Sequence, residues 1–296
     1  MAIPEEQLTT WAQIGAQKTS KDTYATVKLA LDDKDAGYHD KNYQVFLQGS
    51  YGNDTNIRKE SDVDVVIQLD SIFTYDIESL PADEQNAFRQ SHDASAYTLS
   101  SYRQHVLDIL YERFGTDVES GTKAVKINAN GNRRKCDILI AVQHRRYSQY
   151  TGDDNANQVT GISFQKSDGT CVVNYPKKHK ANLIAKNQNT NEWFKHIVRI
   201  YKNARQRMIA DGLIKEGCAP SYYIEGLLYN VPDDQFGTSY DNSMVNTINW
   251  LANADKDNLA CANMQYWLLR GPPDVTWNSA DCTDFIDGII ELWNNW

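Results

Sequence analysis

The spacing of apolar positions changes along the chain, and each change predicts an element. From Glu5 to about Leu31 good helix formers run with few breakers. Leu8, Trp11, Ala12 and Gly15 fall close to one helical face there, which predicts a long N-terminal helix. Tyr43-Gln-Val-Phe-Leu-Gln48 reads as a short strand ending at Gly49-Ser50, with a polar loop from Tyr51 to Glu60 behind it. The β-branched run Asp62-Val-Asp-Val-Val-Ile-Gln-Leu69 predicts a second strand. Ser71 to Ser95 reads as irregular or weakly helical, and Tyr102, Val106, Ile109 and Leu110 mark an amphipathic helix that backs the sheet.

Two hairpins follow. Thr122 to Asn128 and Arg133 to Val142 pair around Asn130-Gly131, which supplies the positive-φ residues of a tight turn. Ile162-Ser-Phe164 and Cys171-Val-Val173 pair around Asp168-Gly169, after a solvated loop from Thr151 to Thr160. Beyond Pro176 the pattern becomes helical: roughly Asn191 to Ala210, Pro220 to Tyr229, Ser239 to Ala252 and Asp281 to Trp293. The expected organisation is therefore a mixed α/β core over 1–176 that includes the N-terminal helix, and a helical domain over 177–296. No internal repeat is evident.

Composition changes this picture only by exclusion. With 41% apolar and 23% charged residues the chain is an ordinary globular one, and no apolar run reaches the ~20 residues of a membrane span. The N-terminus is too polar for a signal peptide, so a cytoplasmic protein without a membrane partner is expected. Five cysteines, scattered and never in C-x-x-C spacing, indicate neither a disulfide framework nor a zinc site. A net charge of −9 argues against a nucleic-acid partner, which needs a broad basic surface.

The candidate chemistry lies in the first half. Side chains i and i+2 of a strand share a face, so Asp62 and Asp64 project together and repel unless solvated or bridged by a cation. Asp137 interrupts the apolar strand Cys136-Asp-Ile-Leu-Ile140, a costly place for an acid without a function. If the strands are neighbours, three carboxylates could offer oxygen ligands to Mg²⁺. Gly49 would let phosphates approach the backbone, and the Ser50 hydroxyl could donate to them. Taken singly these signals are weak: Gly-Ser is a common turn pair, and Asp-x-Asp more often lies on a solvated edge.

Their order is more specific: an apolar strand, Gly49-Ser50, eleven intervening residues, Asp62-x-Asp64 opening a strand, and a later strand Asp137. It resembles the nucleotidyltransferase superfamily related to DNA polymerase β. The fuller strings Gln48-Gly-Ser-Tyr51, Thr55 and Ser61-Asp-Val-Asp64 look like the bacterial CD-NTases, relatives of cyclic GMP-AMP synthase and oligoadenylate synthase. So do Pro176-Lys-Lys-His179, Lys186-Asn187, Thr190, Val198-Arg-Ile-Tyr-Lys202 and Ser221-Tyr-Tyr-Ile-Glu225.

This resemblance implies an α+β fold, a bilobal polymerase-β-like core with a mixed sheet and an oligoadenylate-synthase-like helical lobe that completes a nucleotide cleft. It implies that Asp62, Asp64 and Asp137 ligate two Mg²⁺ or Mn²⁺ ions. It assigns Gln48, Gly49, Ser50 and Lys202 to the nucleotide and its triphosphate, Ser221 to their support, and Tyr222 to stacking on a base. The implied reaction joins nucleoside triphosphates into a cyclic di- or trinucleotide with release of pyrophosphate, in antiphage signalling, where a separate effector reads the product. A monomer is expected.

Residue chemistry also keeps plainer readings open. Lys195, Arg199 and Lys202 flank an apolar stripe of Phe194, Ile197, Val198 and Tyr201; a solvated charged face accounts equally well for Lys195 and Arg199, and only Lys202 gains from the resemblance. Arg133-Arg-Lys135 and Lys177-Lys-His-Lys180 could steer triphosphates or simply keep loops soluble. Core packing suits Tyr222 and Tyr223 as well as base stacking. Two other functions share the motif order: transfer to a protein, small molecule or RNA end, and a catalytically silent nucleotide sensor. Net acidity weighs against RNA, Ser221-Tyr222 against antibiotic enzymes, and the intact acid triad against a sensor. No P-loop, H-E-x-x-H or G-x-S-x-G motif is present.

Overall fold

The computed structural model describes residues 2–15, 17–59 and 62–296. In chain order its elements are α1 (Glu5–Trp11), α2 (Lys18–Leu31), β1 (Tyr43–Gln48), α3 (Gly49–Gly52), β2 (Val63–Asp76), α4 (Ala82–Ser91), α5 (Leu99–Phe114), β3 (Val118–Ser120), β4 (Val125–Ile127), β5 (Cys136–Tyr147), β6 (Gln158–Gln165), β7 (Cys171–Asn174), α6 (Pro176–Asn189), α7 (Trp193–Ala210), α8 (Ser221–Tyr229), α9 (Tyr240–Asn253) and α10 (Ser279–Asn294). They form two compact units. One comprises Lys18–Leu47 and Asp62–Tyr175, the other Met1–Gln17, Gln48–Ser61 and Pro176–Trp296.

The first unit is built on a mixed sheet in the order β1-β2-β5-β4-β3, with β6 added to β5 and β7 to β6. β2 and β5 run parallel, while β3/β4, β4/β5, β5/β6 and β6/β7 are antiparallel. Alternation decides the faces. Val63, Val65, Ile67 and Leu69 of β2 and Ile138, Ile140 and Val142 of β5 bury against Val27 and Leu31 of α2 and Val106, Ile109 and Leu110 of α5. Asp64 and Asp137, being out of phase with those residues, point to the opposite face. Both expected hairpins form, β4/β5 and β6/β7.

The second unit is a helical core around α7. Phe194, Ile197, Val198, Tyr201 and Met208 of α7 pack among Leu8 of α1, Ile224 and Leu227 of α8, Met244 and Ile248 of α9, and Phe285 and Ile289 of α10. The Glu5 carboxylate accepts the backbone amides of Tyr240 and Asp241 at 2.9 and 2.7 Å, satisfying orphan donors at the start of α9.

Three expectations need correction. The helix expected over residues 5–31 is two helices, because Gly15 leaves the helical path to donate its amide to Asn56 O at 2.9 Å. A Cβ on Gly15 would lie 2.7 Å from the Ile57 carbonyl, so only glycine permits that approach. Ala16 of that stretch lies outside the described residues, as do Glu60 of the expected polar loop and Ser61 of the motif. The stretch Ser71 to Ser95 is not irregular. After a bulge between Leu69 and Phe73, β2 continues to Asp76, and α4 then buries Phe88 among Ile77, Leu80, Tyr147 and Tyr150. Finally, α6 has no counterpart in the apolar pattern, because what it buries is largely polar: His179, Lys186 and Asn187 beside Leu183.

His144 on β5 is 4% exposed, with Nδ1 2.9 Å from Thr74 Oγ1. Burial, reinforced by the Arg146 charge, lowers its pKa to about 4 from an ordinary 6.5. The unfolded chain therefore takes up a proton between pH 6.5 and 4 that the folded chain refuses, and stability falls as pH falls through that window. We expect a loss of about 2 kcal/mol from this group between pH 6.5 and 5. Thermal unfolding of wild type and His144→Asn at both pH values tests it, since the variant should show a shallower pH slope. Equal slopes would reject the assignment.

Candidate active site

Two groups of side chains carry the chemistry, one on each unit. On the sheet, the parallel register of β2 and β5 sets Asp64 directly beside Asp137. β4, on the other side of β5, sets Lys126 opposite Asp137. Asp62, one residue ahead of β2, is exposed and pairs with Lys135 Nζ at 2.8 Å. That ion pair raises the Lys135 pKa, chiefly through the hydrogen bond to Asp62. Burial holds the Asp137 carboxyl above its ordinary range; Lys135 and Lys126 act against the rise and Asp62 adds to it.

Among the described residues no three His, Cys, Asp or Glu side chains stand together as a ready metal-binding group. Asp62 is paired with Lys135, whose charge also acts on Asp64 and Asp137. The donor chemistry nevertheless fits a divalent cation. Asp137 Oδ1 is buried without a hydrogen-bond partner, beside a second carboxylate on the neighbouring strand. A hard cation satisfies such an orphaned oxygen and offsets the repulsion of adjacent acids.

On the helical unit, Gln48 is extended and leads into Gly49, whose φ of +63° is left-handed and suits only glycine without strain. The short turn α3 follows, and Thr55 N closes it on Ser50 O at 2.9 Å. Three cations of α7 grip this segment. Lys202 Nζ donates to Ser50 Oγ at 2.6 Å and to Thr55 O at 3.0 Å. Arg199 reaches Asp54 O at 2.8 Å and Ala12 O at 2.5 Å, and Lys195 pairs with Asp54 at 3.1 Å. Lys202 is 0% and Arg199 5% exposed, so the reading of a solvated charged face is overturned for Arg199. Their charges are buried because backbone carbonyls and side-chain oxygens receive them.

Beneath the same segment lies a network that local pattern did not reveal. The Glu225 carboxylate, buried on α8, accepts from Asn53 Nδ2 at 3.0 Å and His179 Nε2 at 2.8 Å, and from Thr55 Oγ1. Burial alone would raise its pKa, but His179, Lys202 and Thr55 together bring it below the ordinary value. Thr55 and Glu225 stand in the family-like strings. His179 stands in them too, at the end of Pro176-Lys-Lys-His179, whereas Asn53 carries no sequence signal.

Ser221 opens α8 and lies 3.3 Å from Arg205 Nη1, which also donates to Ala219 O. The half-buried ring of Tyr222 stacks on His179, with centroids 4.6 Å apart and planes 20° from parallel. Tyr223 instead stacks on Trp277, its hydroxyl donating to Thr276 O at 2.8 Å, so the two adjacent tyrosines diverge as helical neighbours must. Arg133 is structural: it pairs with Asp117 at 2.5 Å and lies over Phe114.

A mixed sheet with acids on neighbouring central strands, reached through a Gly-Ser turn, is a polymerase-β-type nucleotidyltransferase core. Comparison with known proteins agrees. Residues 181–294 match the cGAS/DncV-like nucleotidyltransferase C-terminal helical domain. Over its whole length the chain is 37% identical to the cyclic UMP-AMP synthase of Rhodothermus marinus, covering 99% of that protein. It is 34% identical to the cyclic nucleotide synthase CdnE01 of Staphylococcus haemolyticus, with all of both chains covered. A solved structure of the Rhodothermus marinus CdnE c-UMP-AMP synthase with Apcpp and Upnpp superimposes with a TM-score of 0.89 at 36% identity, covering 99% of this chain and 97% of that one. The chain thus belongs to the CD-NTase family, the cGAS/DncV-like nucleotidyltransferases that make cyclic nucleotides.

Proposed function

We propose that the chain condenses two or three nucleoside triphosphates into a cyclic oligonucleotide, with Asp62, Asp64 and Asp137 holding two Mg²⁺ or Mn²⁺ ions. Gln48, Gly49, Ser50, Lys202, Ser221 and Tyr222 bind the nucleotide in this reading. The observation that carries it is the pairing of Asp64 with Asp137 in register, one oxygen of Asp137 being buried and unpartnered.

In each transfer a ribose hydroxyl oxygen bonds to the α-phosphorus of a triphosphate, the bond from that phosphorus to the bridging oxygen breaks, and pyrophosphate leaves. Divalent ions, when bound, supply a lowered hydroxyl pKa and neutralise the departing charge. Asp137 is assigned to orient the attacking hydroxyl and receive its proton. Ser50 and Lys202 meet the phosphates, with Lys202 held by Thr55 O so that its ammonium is ordered before substrate arrives. Gly49 contributes by having no side chain in the way.

The Rhodothermus marinus relative is a cyclic UMP-AMP synthase by name, which makes ATP with UTP the first pair to try. The product is proposed as an antiphage signal read by a separate effector, made by a cytoplasmic monomer. No helix of the described residues is long and apolar enough to cross a membrane. Incubating the purified chain with Mg²⁺ or Mn²⁺ and labelled triphosphates, singly and in pairs, should yield a cyclic product by mass together with pyrophosphate. Absence of pyrophosphate with every pair and both metals would sink the proposal.

A further inference from the structure

The imidazole of His179 does two things at once. Its Nε2 hydrogen-bonds Glu225, the same carboxylate that holds Asn53 and Thr55 of the Ser50 segment. Its face lies against the Tyr222 ring. Its Nδ1 is buried with no hydrogen-bond partner, so the ring contributes through its face and through Nε2 alone. At the far end of Tyr222, the hydroxyl accepts from Asn263 Nδ2 at 2.9 Å. Asn263 is itself fully buried, with its Oδ1 taken by the Gln265 amide at 2.8 Å. The Tyr222 ring is therefore held on its face by His179 and at its hydroxyl by Asn263. Tyrosine rings otherwise rotate broadly about χ2.

We propose that His179 is a positioning residue that ties the Ser50 phosphate segment to Tyr222 as a base-stacking platform, through Glu225 on one side and its own ring face on the other. This rests on the reading of Tyr222 as the surface that receives a base. A nucleotide held by its phosphates at one end and its base at the other needs those anchors at a fixed separation. Ordering both before binding lowers the entropy lost when the nucleotide docks. Stacking uses the π-face that every base has, so the device serves purine and pyrimidine triphosphates alike and leaves base choice to other residues.

The test separates the two functions of the ring. His179→Gln keeps a nitrogen at the Nε2 position for Glu225 and removes the face. We expect KM for every accepted triphosphate to rise by a common factor of about three to ten, with kcat within about twofold and an unchanged melting temperature. Tyr222→Leu should raise KM by a similar factor, and the double variant should add nothing further, because the residues act as one unit. If Tyr222→Leu raises KM and His179→Gln does not, the inference is wrong and the platform survives. Should Tyr222→Leu itself leave KM unmoved, the platform reading falls and takes the inference with it. If His179→Gln does not fold, His179→Phe gives the converse measurement: it keeps the face and cuts the link to Glu225, so the tie is broken from its other side and KM should again rise severalfold while the melting temperature drops. An unchanged KM for His179→Phe would show that the Glu225 link ties nothing to the platform and would overturn the inference.

Discussion

Asp137→Asn should lose turnover by about a thousandfold or more, because a carboxylate that orients the attacking group and its cation is worth several kcal/mol in the transition state. The same substitution should make the chain more stable in the absence of divalent ions. Asp137 carries a charge in a partly desolvated place, one oxygen buried without a partner and Asp64 alongside. Removing the charge relieves burial and repulsion together, a gain of about 1 kcal/mol or roughly 2 °C in the melting temperature. A third measurement links the two: Mg²⁺ or Mn²⁺ should raise the melting temperature of wild type and leave that of the variant where it is, since only a chain that binds the ion gains from it. Wild-type turnover in Asp137→Asn would remove the basis of the proposed mechanism.

The second large effect is on stability. Glu225→Leu leaves His179, Asn53 and Thr55 without their shared acceptor and removes the carboxylate charge that Lys202 interacts with, all in buried surroundings. Breaking a buried charge network from one side costs about 3 to 5 kcal/mol. Glu225→Gln, which keeps the shape and one acceptor oxygen, should cost less, about 2 kcal/mol. The readout is favourable. All seven tryptophans, Trp11, Trp193, Trp250, Trp267, Trp277, Trp293 and Trp296, belong to the helical unit, so denaturation followed by tryptophan fluorescence reports on the unit that contains Glu225. Unfolding of Glu225→Leu at the wild-type denaturant concentration would show that the network contributes nothing.

Much of the fold was legible because its signals are local. The β-branched run from Val63, the Asn130-Gly131 and Asp168-Gly169 turns, and the stripe Phe194, Ile197, Val198, Tyr201 each act within a few residues, and each element formed where expected. The misses share one cause, which is dependence on distant partners. Gly15 breaks the first helix because Asn56 and Ile57 lie against it. α4 exists because Phe88 has a small aromatic cluster to bury into. α6 buries polar side chains, and two of them, His179 and Lys186, find their partners Glu225 and Val231 O far along the chain, so no apolar period announced it.

The acids at 62, 64 and 137 and the Gly49-Ser50 turn could be named from the chain alone, because strand periodicity and motif order are properties of neighbouring residues. Tertiary structure alone decided that Asp64 and Asp137 share a register, since hydrogen bonding between strands, not residue identity, sets which positions lie side by side. It also decided that Lys202 and Arg199 face inward to carbonyl and hydroxyl oxygens rather than outward to water. A cationic flank looks the same in sequence whether solvent or a folded segment covers it, and only the packing of residues 48–57 against α7 distinguishes the two.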